Sequence, residues 1–464
     1  MIIRNGLCAL PGLDALERRD IRVEGETIVS IAASIAPSPG ETVIDASCLE
    51  VFPGAIDPHV HFDEPGFTHR EDFHHGTMAA ARGGVTTVID MPCTSLPPVT
   101  TAANLREKLA AMGDSGVVDY ALFGGVSGHS LAESLDRNMA ELAPDVVGFK
   151  CYLISGMESF TAVDIPGLGR AIAKASTLGR PLLLHAEDPA VVVPATETMK
   201  ARSATEGRKA SWDDYVDSRP ESAEVSAVAA AIASAKGNAT SLHVVHVGTA
   251  EAARLVAASG ATCETAPHYL AFCRDDFSSK GSALKTAPPV KSRGQADLLW
   301  QFLASGAILY CASDHAPAPA SEKNTGSIWT DYGGIPGTGT LFPYLYAQGY
   351  KAGRLTLRAF LRVTGGAAAA RFGLSGRKGS IAVGMDADLV LVDPRGEYRV
   401  RGSELLSKGN ITPFEGMRLS GSILHTLVRG RAVWDAREAD KGGNAVAGIV
   451  ARAGYGKHLR WGYR

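Results

Sequence analysis

The sequence predicts a (β/α)8 (TIM) barrel carrying a small β-sandwich-like domain built from both chain termini. Three observations predict it. Eight short apolar segments alternate with Ala-rich helical segments through the middle of the chain. Turn-punctuated, β-rich stretches occupy both ends. Ionisable residues recur at the ends of the central strand segments, the face on which such barrels place their chemistry.

At the N-terminus, residues 21–33 hold two β-rich pieces around a Gly-Glu turn, and residues 42–54 add another that stops at Pro53-Gly54. Residues 377–393 and 422–434 read the same way. The expected organisation is therefore 1–52 and 373–464 as two parts of one side domain and tail, with a hydrolase barrel over 53–372. The eight strand segments are 54–62, 85–92, 117–125, 146–154, 181–187, 241–248, 261–270 and 307–317. Near-continuous apolar strands between helices mean a parallel sheet covered on both faces. One long insertion, roughly 188–220, follows the fifth segment. Its polar DSRPESAE stretch reads as a loop feeding a helix N-terminus.

Composition narrows the class of function. Of 464 residues, 46 are Lys or Arg and 49 are Asp or Glu, a net charge of −3. No global basic field exists to hold nucleic acid or an anionic membrane. No run approaches the ~20 apolar residues of a membrane span, and no signal-peptide pattern is visible at the start. The seven cysteines are scattered and form no CxxC pair. They read as packing residues in a reducing, cytoplasmic compartment.

The chemistry concentrates at six residues. His59 and His61 end the first strand segment, and i and i+2 share one face of a strand. Lys150, His185, His246 and Asp314 close the fourth, fifth, sixth and eighth segments. Taken singly, His185 or His246 reads as a packing histidine, Lys150 as a surface charge, and Asp314 as a helix cap. All six at one mouth read differently, because a barrel interior is normally filled by branched apolar residues. Four histidines and an aspartate can hold two divalent ions if something bridges them. A lysine carboxylated by carbon dioxide can bridge, and burial near metal makes its free amine available for that reaction. Asp314 can also take the proton of an attacking water. His243, three residues from His246, is expected to face the opposite side, and His268 to brace the seventh strand. His69, His74 and His75 read as surface.

This ordered set resembles the amidohydrolase superfamily, and within it the cyclic amidohydrolases: allantoinases, dihydroorotases and hydantoinases (dihydropyrimidinases). Supporting stretches are EPG (64–66), GFKCY (148–152), HAED (185–188), CETAPHYL (263–270), APPVK (287–291), SDHAP (313–317), GGIPG (333–337) and VGMDADLVLVD (383–393). The resemblance implies two histidines on each metal, carboxylated Lys150 between them and Asp314 on the first. It implies zinc, with iron, manganese, cobalt or nickel as alternatives. It also implies a cyclic ureide substrate and a homo-oligomer, dimer or tetramer. Asp63, Cys93, Ser155, Ala287, Ala318 and Gly334 are the expected substrate-pocket residues.

Departures choose among the subfamilies. Dihydroorotases grip a substrate carboxylate with an Arg, an Asn and a His where this chain has Asp63, Cys93 and Ala318. Hydantoinases carry a Tyr where it has Ser155. The EPG and SLP stretches and GFKCY look most like allantoinase, although Phe67 and Thr94 replace the usual Arg and Asn. The expected reaction is opening of a ureide ring, allantoin to allantoate, with hydantoinase- or dihydroorotase-like activity as the alternative. An inactive scaffold is disfavoured because none of the six ligands is missing.

Overall fold

The computed structural model describes residues 1–464. Eight parallel strands form the barrel: β1 (Ala55–Val60), β2 (Val85–Asp90), β3 (Asp119–Leu122), β4 (Phe149–Tyr152), β5 (Leu182–His185), β6 (Leu242–Val244), β7 (Thr262–Thr265) and β8 (Tyr310–Cys311). Each lies inside one of the eight segments expected from sequence. The register sets Lys150 beside Leu183, Tyr152 beside His185, His243 beside Thr262 and Glu264 beside Tyr310. Between β3 and β4 the sheet runs through Gly124 and Gly125, which pair with Phe149 and Lys150. The ring closes where Val60 bridges to His315 and the His61 amide donates to the His315 carbonyl at 2.7 Å. That seam lies at the mouth, so it holds β1's histidines and the Asp314 segment side by side.

Alternation of side chains explains the packing. On β4, Phe149 and Cys151 join the shell beneath the helices, while Tyr152 joins the interior with Ile89, Phe123, Leu183 and Val245. Asp72, Thr101, Ser127, Asp164, Asp188 and Thr249 each cap a helix by accepting a backbone N–H. Such caps satisfy donors that the first helical turn leaves unpaired.

The two termini build one eight-stranded sheet. Its path runs Arg431–Asp435, Arg418–Val428, Leu389–Arg399, Glu50–Pro53, Ile2–Cys8, Glu17–Glu24 and Thr27–Ala32, with Val43–Asp45 added against Ile2–Cys8. Glu50–Pro53 leads straight into β1 through Gly54, where any side chain would collide with Thr86. Sheet and barrel are also tied by charge. The buried Lys378 ammonium lies 2.6 Å from Asp119, 2.9 Å from Asp386 and 2.7 Å from Asp388. The final residues leave the sheet and return to the barrel, where the Leu459 amide donates to the Tyr120 carbonyl at 2.7 Å. Leu459 is fully buried with Phe372 and Leu374.

The DSRPESAE stretch of the insertion after β5 feeds a helix N-terminus as expected, through residues 218–220 into Glu221, and the rest of the insertion is largely helical. It contains helices Pro189–Thr205 and Trp212–Asp217 ahead of Glu221–Ala235. Asp188 caps the first, and a reciprocal Ser211–Asp214 pair caps the second. Arg208 then closes on Asp214. No helix of the chain is long and apolar enough to cross a membrane.

Candidate active site

Strand ends bring His59, His61, His185, His246 and Asp314 to one floor at the barrel mouth, and Lys150 is fully buried outside the cavity lining. His59 Nε2 stands 3.2 Å and His61 Nε2 3.6 Å from Asp314 Oδ1. One ligand atom from each of these three fits within 4.8 Å of the others. Across the floor, His185 Nδ1 and His246 Nε2 face each other at 3.0 Å. The His59 and His246 rings are 5.6 Å apart, which joins the two halves. Lys150 Nζ is fully buried without a hydrogen-bond partner, as is His59 Nε2. An orphaned buried donor or acceptor is costly. Imidazole nitrogens and a carboxylate converging without donors between them have the chemistry of a divalent-metal site.

Two backbone features aim these groups. His246 has φ +40° and Asp314 φ +51°, a left-handed conformation uncommon outside glycine. At His246 it breaks the strand alternation. His243 therefore faces the barrel interior rather than the opposite side, with Nδ1 at 2.7 Å from Thr262 Oγ1 and Nε2 at 2.9 Å from Tyr310 Oη.

A second layer of polar groups holds the rings. Glu264 accepts from His59 Nδ1 and, at 3.2 Å, from His243 Nε2. Glu187 accepts from His185 Nε2 at 3.0 Å and is closed upon by the Arg219 guanidinium. His61 Nδ1 instead meets Thr94 Oγ1 at 3.4 Å and Cys93 Sγ at 3.7 Å. Burial lowers the pKa of Lys150, and pushes His59 and His246 well below the usual imidazole value. Burial opposes ionisation of Asp314, but His59, His61 and His246 around it hold its carboxyl well below the usual range. The lowered His59, His185 and His246, the ionised Asp314 and the weakened Lys150 are in the states that metal ligation and lysine carboxylation require, whereas His61, opposed by burial but favoured by Cys93 and Asp314 beside it, is raised to about 10.

A cavity of about 240 Å³ stands over this floor. Ser155, Ala287 and Gly334 line it. Gly334 brings backbone to the wall because a side chain there would collide with the Ala316 carbonyl. Asp63, Cys93 and Ala318 do not line it, which corrects the expectation for these three. Asp63 is fully buried, neither carboxylate oxygen has a partner, and burial pushes its pKa up to about 7. Cys93 lies behind the wall with Sγ 3.0 Å from Tyr152 Oη. Ala318 is buried, with its backbone close against Gly409.

The Amidohydrolase family model matches residues 51–433, well over half the chain. The chain belongs to this family. An allantoinase of Rubrobacter xylanophilus is 37% identical over 97% of this amidohydrolase and 96% of its own length. An allantoinase of Solibacter usitatus is 36% identical over 94% and 93%. A dihydroorotase of Halobacterium salinarum is 37% identical over 90% and 93%. Among solved structures, an L-hydantoinase (dihydropyrimidinase) from Arthrobacter aurescens superposes with a TM-score of 0.89 at 29% identity, covering 98% of both chains.

The amidohydrolase site also uses residues that sequence reasoning missed. Tyr152, Arg219 and Tyr332 line the cavity, while Glu187 and Glu264 back the histidines. Both glutamates sit in motifs singled out from sequence, HAED and CETAPHYL. Their position two residues from, or one strand beyond, a strand-end histidine was the available signal. His268 is buried, and neither ring nitrogen has a partner.

Proposed function

We propose that this amidohydrolase opens the five-membered ring of allantoin to allantoate at a binuclear metal site. The observation that carries the reading is the convergence of His59, His61, His185, His246 and Asp314 on one small cavity, with the buried Lys150 Nζ and His59 Nε2 left without partners. His59, His61 and Asp314 would hold one ion, and His185 and His246 the other. Lys150, carboxylated by carbon dioxide, would bridge them. Two such ions, zinc first and otherwise iron, manganese, cobalt or nickel, supply Lewis acidity that makes water nucleophilic and polarises the ring carbonyl.

The chain's own groups complete the reaction. Asp314 accepts the proton that water loses as its oxygen bonds to the carbonyl carbon. The ring C–N bond then breaks, and Asp314 returns that proton to the departing nitrogen. Products are a carboxylate and an opened ureide. Arg219 is neutralised by Glu187, so the wall offers no free cation, which suits an uncharged ring. Seven free cysteines, six of them buried, support a reducing, cytoplasmic setting, and we carry forward a homo-oligomer.

The test is kcat/KM for metal-loaded protein on allantoin, hydantoin, dihydrouracil and dihydroorotate. Preference for allantoin is expected. Preference for any other ring overturns the substrate, and absence of bound metal in active protein overturns the site.

A further inference from the structure

The cavity wall contains six polar side chains apart from the metal-ligand set, and five are already engaged. Ser155 Oγ donates to the Phe160 carbonyl at 2.7 Å. Thr286 Oγ1 donates to the Pro288 carbonyl at 2.9 Å. Tyr152 Oη meets Cys93 Sγ, Thr94 Oγ1 meets His61 Nδ1, and Arg219 is closed on Glu187. The sixth is Tyr332. Its ring lines the cavity, and the hydrogen bonds it makes within the chain run through its amide and carbonyl, not its hydroxyl.

Tyr332 is nevertheless held firmly. The Arg70 guanidinium lies over its ring, 4.6 Å from the centroid, and is itself anchored to Glu322 at 2.7 Å. The Tyr332 amide donates to the Glu322 carbonyl at 2.8 Å. Lys323 Nζ, buried beneath, donates to the Tyr332 carbonyl at 3.2 Å and to the Gly334 carbonyl at 2.6 Å. A preorganised donor with no internal acceptor is what a ligand-recognition group requires, because its ordering cost is met before the ligand arrives. A phenol ionises near pH 10 in water, and burial here raises that further. The hydroxyl is therefore a neutral donor throughout the working pH range.

We propose that Tyr332 is the specificity residue for the substituent outside the ring, its hydroxyl donating to the carbonyl oxygen of an exocyclic ureido group. The metal floor below acts on the ring amide, and a donor on the wall above reaches what projects from the ring. A neutral phenol suits a neutral urea carbonyl and offers no compensation for a carboxylate. This assignment rests on the allantoin reading and extends it to a named contact.

The experiment compares wild type with Tyr332→Phe, both metal-loaded. It reads kcat and KM for allantoin, and Ki for hydantoin, the same ring without the ureido arm, as a competitor. One neutral hydrogen bond corresponds to about a 2- to 12-fold loss in kcat/KM for allantoin. That loss is expected mainly as raised KM, with hydantoin Ki and metal content unchanged. Unchanged allantoin kinetics overturn the proposal. An equal loss for allantoin and hydantoin also overturns it, since the phenol would then serve the ring or the floor. If wild type opens a different ring and not allantoin, the substrate reading has failed. The ureido contact is then read separately from the Ki of allantoin in the two proteins, and an unchanged Ki overturns it.

Discussion

Glu264 binds the Nδ1 edge of His59, which leaves Nε2 of that ring facing Asp314. The two residues are 205 positions apart in the chain and meet because β1 and β7 belong to one closed ring. A proton held at Nδ1 places the lone pair at Nε2, the tautomer a metal ligand needs. The other oxygen of Glu264 is fixed by His243, itself held by Tyr310 and Thr262.

Glu264→Gln should therefore weaken metal binding while keeping the fold. A primary amide can present its NH2 to Nδ1 and select the wrong tautomer. A loss of about 10- to 100-fold in metal affinity is expected, the usual scale for such outer ligands. Titration with zinc after chelator treatment measures it. Wild-type affinity in the variant would show that the pair serves folding alone.

Lys150→Ala should lose most bound metal and most turnover, because the bridge between the two histidine pairs is gone. Short carboxylic acids added in solution should restore part of the activity by standing in for the carbamate. Metal analysis and rescue assays check both halves. An alanine variant that keeps two ions per chain and full activity would remove Lys150 from the bridge.

The strands and their mouth residues were legible because both depend on local pattern: apolar runs, Ala-rich spacers, and polar residues at fixed strand ends. Depth was not legible. Asp63 and Cys93 occupy mouth positions in sequence, yet each lies behind the wall. Whether a residue two places beyond a ligand faces the cavity depends on turns such as φ +56° at Asp63. His243 was misassigned for a related reason: strict alternation puts it opposite His246, and the left-handed backbone at His246 cancels that rule. The Glu264 and Arg219 contacts were hidden because they join strands or loops whose proximity only the closed barrel creates.

Arg219 bears on selectivity. Its guanidinium lines the cavity but is bound to the buried Glu187 carboxylate, which it keeps ionised with a pKa of about 2 despite burial. A ring carboxylate entering the cavity finds no uncommitted cation, and an unpaired buried charge costs several kcal/mol. Dihydroorotate should therefore have a kcat/KM at least ~10²-fold below that of allantoin, since 1.4 kcal/mol is about tenfold. Comparable values on the same preparation would mean that Arg219 leaves Glu187 to meet the substrate.

Glu224 gives a pH-dependent prediction away from the ligands. It is fully buried on the helix Glu221–Ala235 and accepts the Gly248 amide at 2.9 Å, tying that helix to the loop after β6. Burial raises its pKa to about 7, against about 4.3 for an unfolded glutamate. Between those values the native state holds a proton that the unfolded state has lost. The contribution to stability is thus fully present below about pH 4 and is lost as pH rises through about 7. Glu224→Gln cannot ionise and should not show that loss. The Tm of wild type relative to the variant should accordingly be higher at pH 5 than at pH 8. Thermal unfolding of both proteins at the two pH values measures the difference. A Tm gap that is the same at pH 5 and pH 8 would mean that Glu224 titrates alike in the folded and unfolded chain.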